Sequence, residues 1–430
     1  MKLHIQGGHL IDPHNQIDRQ SDLFIAAGKV VGIGHAPTDF HANKIIDAQG
    51  LIVCPGLVDL CARLREPGDE YKATLESEMC AAMAGGVTSL VCPPDTEPVL
   101  DEPGLVEMLK FRARNLHQAH VYPLGALTLG LKGQALTEMA ELTEAGCIGF
   151  TQAEVPIADT QVLFLALQYA STYGYTVWLR PQDAWLGSQG IAASGAVATR
   201  MGLSSIPVMS ETIALHTIFE LMRATNARVH LCRLSSREGL NLVAAAKREG
   251  LKVSCDASIH HVHLCDVDLG YFDPQMRMLP PLRSQRDRDA IRARLEDGTI
   301  DALCSNHTPV DDDEKRLPFA EAAPGATGLE LLLPLTLKWA TEKKRPLSEA
   351  LARLTSAPAA ILGLLEKKQA GQLSLNSVAD VCLFAPECSW QIQPENLRSQ
   401  GKNSPFLGYA LQGKVKMTLV AGHIAYEAQE

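Results

Sequence analysis

The chain reads as an α/β protein, a (β/α)8 barrel with a small β domain assembled from its two ends. Three observations predict this. From Val53 onward, short apolar runs that end in turn or polar residues alternate with amphipathic stretches, the rhythm of repeated βα units. The runs number about eight, the count that closes a barrel. Both ends of the chain lack this rhythm and carry short strand-like runs broken by turn residues.

Taken in order, "GKVVGIG" and "ANKIIDAQG" are the N-terminal strand-like runs. The barrel strands are then expected in "VCPGLVDL", "VTSLVC", "HVYPLG", "CIGFT", "YTVWLR", "RVHLCRLS", "KVSCDAS" and "DALCSNH". Helical patterns such as "DEYKATLESEMCAAMAGG" and "SREGLNLVAAAKREG" lie between most of them, and stripes such as "ETIALHTIFELM" face the core. Gly85-Gly86, Gly146 and Gly250 stand where a helix should stop, and are expected to supply the positive φ of a C-terminal cap. "ADVCLFAP" and "GKVKMTLVAGHIAYE" return to the N-terminal style.

With 430 residues, 46% hydrophobic and 20% charged, the chain can bury a large core. A net charge of -10 argues against nucleic acid or an anionic membrane as partner, because both are held by clustered cations. No apolar run is long enough for a signal sequence or a bilayer span, so a cytoplasmic protein is expected. Eleven cysteines in contexts such as "LIVCPG" and "DVCLF" suit buried thiols rather than a disulfide framework.

A barrel of this kind does chemistry at the C-terminal ends of its strands. Those ends read Cys61, Arg63, Arg65, Asp95, Gln152, Arg180, Arg233, His260, Asn306 and His307. A metal-dependent hydrolase needs lone pairs from imidazoles, carboxylates or thiolates converging on one ion. Arginine has none to give, and the amides of Gln152 and Asn306 are poor substitutes for an anionic oxygen.

The segments "PGLVDLCARLREPG", "GGVTSLVCPPDTEPVLD", "ASIHHVHL", "LEDGTIDALCSNHTP" and "NSPFLGYALQGKV" together carry a resemblance that spans nearly the whole chain. The sequence resembles the dihydroorotases of the amidohydrolase superfamily, zinc enzymes that cyclise carbamoyl aspartate to dihydroorotate. The resemblance implies an amidohydrolase-type barrel over residues 54–371, with 1–53 and 372–430 forming a β-sandwich.

The departures from the family carry the functional message. The two histidines of its first metal motif correspond to Cys61 and Arg63, while the substrate-binding arginine survives as Arg65. The acidic ligand after strand four is Gln152, the strand-five histidine is Arg180 and the strand-six histidine is Arg233. His230 remains nearby, with the wrong strand parity to face the same centre. The aspartate that serves as ligand and general base is Asn306, followed by a retained His307, and the second histidine of that motif is Val310. Two substrate-binding asparagines are Asp95 and Leu279.

The resemblance therefore implies a pseudoenzyme with no metal and no cofactor, of the kind that serves as a noncatalytic subunit of aspartate transcarbamoylase. Dimeric scaffold subunits joining a trimeric transferase would give roughly six copies of each chain.

Two rivals stay open. One is an active metal-dependent cyclic amidohydrolase with unrecognised ligands, for which "HHVH" could place His261 and His263 on one face of an extended strand. Cys61 and Cys304 could face the interior as well, with Cys232 turned outward because it alternates with Arg233. The other is a regulatory subunit holding a small anion with Arg63, Arg180 and Arg233. Against it stand Glu66, Asp95, Glu154 and Asp183, natural internal partners for those arginines. A lowered pKa at Cys61 beside the arginines would not suffice for covalent catalysis without a histidine partner. The acidic run "DDDEK" is either a solvated loop or a partner contact.

Overall fold

A computed structural model describes residues 1–429. Eight strand positions follow one another around a barrel: Leu57–Asp59, Val87–Cys92, His120–Pro123 continued by Gly125–Ala126, Phe150–Thr151, Thr176–Leu179, Arg228–Leu231, Val253–Ser258 and Ala302–Cys304. Neighbours pair in parallel. The third strand joins two arcs, since the Leu124 amide donates to Cys92 and the Gly125 amide to Gly149. A parallel bridge between Ala62 and His307 closes the ring. Strands walled by helices outside and side chains inside must be apolar on both faces, and Val87–Cys92 is buried at every position.

The helices between strands start and stop by local chemistry. Ser236 accepts from the Gly239 amide at the start of Arg237–Glu249, and Gly250 ends that helix at φ 91°. Gly85 departs from the expectation: it is right-handed at φ -85°, and Gly86 makes the turn at φ 78°. Gly85 is needed for space, because a Cβ there would lie 2.3 Å from the Leu329 carbonyl oxygen.

The chain ends form two sheets. One orders Lys29–Ile33, Leu23–Ala26, Lys2–Gln6 and Lys44–Asp47; the other orders His423–Glu427, Ala410–Val420, Val381–Gln391, Ile52–Pro55, His9–Asp12 and Ile17–Gln20. Period-two alternation lets the second sheet serve two cores. Val53 and Leu383 point into the sandwich with Leu3, Ile25 and Leu419, whereas Ile52, Cys54 and Phe384 belong to the barrel's core. No helix among the described residues is long and apolar enough to cross a membrane.

Candidate functional site

The strand ends converge on a carboxylate. Glu154, two residues beyond Gln152, sits among three guanidiniums. Arg63 Nη2 donates to its Oε1 at 2.7 Å, Arg233 Nη1 donates to the same oxygen, and Arg180 Nε lies 2.5 Å from Oε2. Arg180 Nη2 also donates to the Glu154 carbonyl at 3.0 Å. Arg63 is fixed further by Asp95 Oδ2 at 2.8 Å and Thr308 Oγ1 at 3.1 Å. Burial alone would disfavour the Glu154 anion, but the Arg233, Arg180 and Arg63 guanidiniums outweigh it and hold the carboxyl well below the usual range. Of the four acidic partners expected for these arginines, Asp95 and Glu154 take the role. Glu66 instead pairs with Arg112, and Asp183 caps the amides of Trp185 and Leu186.

The remaining positions are spent in the same way. Asn306 Oδ1 accepts from Arg233 Nη1 at 3.1 Å, and its Nδ2 donates to the Leu279 carbonyl at 3.2 Å. Cys61 Sγ lies 3.8 Å from that same Oδ1, and burial pushes its thiol up to about 11 despite Arg233 and Arg63. A lowered Cys61 pKa is thereby corrected. Gln152 Oε1 accepts from Thr128 at 3.0 Å. Arg65, at φ 63°, donates from Nε to the Pro309 carbonyl at 2.9 Å. His307 is withdrawn from any pocket: one ring nitrogen bonds Glu78, and Nδ1 accepts from the Gly328 amide at 3.1 Å. The cavity beside Arg180 and Arg233 measures about 10 Å³, room for one water.

Two expectations of side-chain direction fail for one reason. The sixth strand ends at Leu231, and Arg233 adopts φ 53° just past it. That kink swings Arg233 inward although His230 and Cys232 also face inward, Cys232 among Cys61, Trp178 and Cys304. The His230 ring packs at a tilt against Trp178, centroids 4.2 Å apart, and does not point away. "HHVH" is likewise not a strand. Ile259–His263 is a short helix capped by Ser258, and burial lowers His260 to about 3 and His261 to about 4. His261 and His263 each bond backbone carbonyls, so they make no ligand pair.

The residues present do not fit the zinc that the family resemblance implies. Three of the six positions hold guanidiniums, two hold amides, and Cys61 remains a thiol under burial. Among the described residues one other group, His230, Cys232 and Asp256, is close enough to share an ion. Its polar atoms are already engaged. His230 bonds Ser254 at 2.8 Å and Asp256 at 2.9 Å, and Asp256 Oδ1 accepts the Arg233 amide at 2.7 Å.

Local sequence gave no signal for Glu78, which meets His307 across 229 residues. Glu154 was visible only as one acidic residue among several.

Solved structures share this closed parallel barrel with a terminal β-sandwich. L-hydantoinase from Arthrobacter aurescens superposes with a TM-score of 0.88 at 23% identity, covering 100% of this chain and 96% of that one. Dihydropyrimidinase from Brevibacillus agri gives 0.84 at 20% identity, covering 99% and 95%. Residues 50–239 match the family model described as dihydro-orotase-like. The chain is 43% identical over 427 residues to a dihydroorotase-like protein of Pseudomonas aeruginosa, covering 99% of this chain and 100% of that one. It is 38% identical over 428 residues to a dihydroorotase of Geobacter sp. strain M21, covering 100% of both. The chain belongs to the dihydroorotase-like family.

Proposed function

We propose that this protein is a catalytically inactive dihydroorotase-like subunit that assembles with aspartate transcarbamoylase and stabilises it. The observation that carries the inactive half is Glu154 bound by Arg63, Arg180 and Arg233, in the space where the family would place its metal. Carboxylate and guanidiniums satisfy one another, and neither a Lewis acid nor a free base is left to polarise a ring amide. The same pairing weakens the anion-sensor reading, because the cations that would hold a ligand already hold Glu154.

The assembly half rests on the family resemblance and on mass action, since a subunit that binds only the folded partner stabilises it without chemistry. Dimers of this chain bridging transferase trimers, roughly six copies of each, would close such a particle. Co-expression with and without the transferase chain, followed by mass measurement and both activity assays, tests the proposal. A stable hetero-oligomer with transferase activity and no dihydroorotate turnover is expected. Turnover that chelators abolish would sink the inactive half, and failure to co-purify would sink the other.

A further inference from the structure

The rim of the barrel mouth carries a pattern that the buried ion network does not explain. Six of the eight loops that follow barrel strands present at least one large apolar side chain to solvent. Tyr71 (59% exposed) follows the first strand, Leu129 (47%) the third, Val155 (44%) the fourth, Trp185 (78%) the fifth, Tyr271 (94%) the seventh and Leu317 (41%) the eighth. Exposed apolar residues scattered singly are ordinary, but parallel barrel topology puts all six at one end of the molecule.

The same loops are acidic where they are exposed. Glu70, Asp159, Asp312 and Asp313 reach solvent from three of them, and Glu97 from the loop after the second strand. Two cations of these loops are drawn inward, since Arg277 donates to the carbonyls of Phe319 and Ala320 and buried Lys315 donates to that of Pro274, whereas Lys132 and Arg316 stay exposed. Ion pairs fill the strand ends beneath this ring, and a cavity of about 100 Å³ that Val155 and Trp185 share with Gln152 and Arg180 lies against it.

We propose that the ring is a docking face for a second protein whose matching surface is apolar at its centre and fringed by lysine and arginine. Charge complementarity selects that occupant, since a second copy of this chain would bring the same acidic fringe against its like. Aromatic side chains cover ~150–250 Å² each when buried, a large share of the roughly 800 Å² per partner that a standard interface needs.

The inference rests on the subunit reading, and its test keeps the two separable. The full chain is mixed with purified aspartate transcarbamoylase chain and the affinity is measured for four proteins. These are the wild type, Trp185→Ser with Tyr271→Ser, Asp312→Lys with Asp313→Lys, and a control, Phe111→Ser with Tyr173→Ser, on exposed helix faces of the barrel's outer wall. Wild type and control are expected to assemble alike, and both rim variants at least about tenfold more weakly. Assembly of the rim variants at wild-type strength overturns the docking face and leaves the subunit reading standing. A wild type that does not assemble overturns both. Hydrogen exchange on the wild-type complex gives a reading free of folding defects: residues 183–190 and 266–273 should gain protection, and protection confined to other surfaces refutes the assignment.

Discussion

Glu154 is the residue on which the strand-end ion network turns. Replacing it with glutamine would leave Arg63, Arg180 and Arg233 buried together with Asp95 as their remaining carboxylate, and removing one partner from a buried ion network costs about 3–5 kcal/mol. Glu154→Gln should therefore lower the denaturant midpoint sharply, and an unchanged midpoint would contradict the plug. Because the carboxyl is held below its ordinary value, its stabilising contribution is present above pH 4.5 and is lost only as pH falls well beneath it. Arg63→His gives a complementary expectation. One imidazole returns to a site still filled by two guanidiniums, two amides and Glu154, so dihydroorotate hydrolysis should stay at background with zinc added.

At the scale of elements, legibility tracked how local the cause was. Eight strands and their helices were readable because burial on both faces and terminal caps act within a few residues. The inward turn of Arg233 was not, because it depends on a positive φ beyond the strand end, and parity arguments hold only inside a strand. Ala153, Asn306 and Arg65 share that conformation, so four strand ends keep strained backbone at about 1–3 kcal/mol each. The helix Ile259–His263 was misread through its histidines, although Ser258 before it was a legible cap. That helix also makes a pH prediction. His260 and His261, lowered by burial to about 3 and 4 from 6.5, bind fewer protons folded than unfolded. Stability should fall as pH drops from about 6.5 toward 4, by up to roughly 1.4 kcal/mol per pH unit for each ring. Melting temperature measured against pH checks this, and His261→Gln should flatten the slope by about one proton.

For the whole molecule, the proposed function has a barrel whose strand-end donors are spent on one another acting on a metabolic reaction through another protein. The effect then has the form of a binding isotherm. If the chain binds the folded transferase and not its unfolded state, the transferase gains about 2.7 kcal/mol when the subunit is present at 100 times its dissociation constant. Transferase melting temperature should accordingly rise with the logarithm of subunit concentration above that constant, whereas a catalytic contribution would saturate at substoichiometric amounts. Glu154→Gln separates the two further. A destabilised barrel presents fewer folded subunits, so the protective curve should shift to higher total concentration and reach the same slope. Dihydroorotate or carbamoyl aspartate at millimolar levels should leave both curves in place, since Arg63, Arg180 and Arg233 already hold Glu154. A displacement of the curve by either ligand would mean that the arginines can release Glu154, and would return the barrel to the class of sites that respond to substrate.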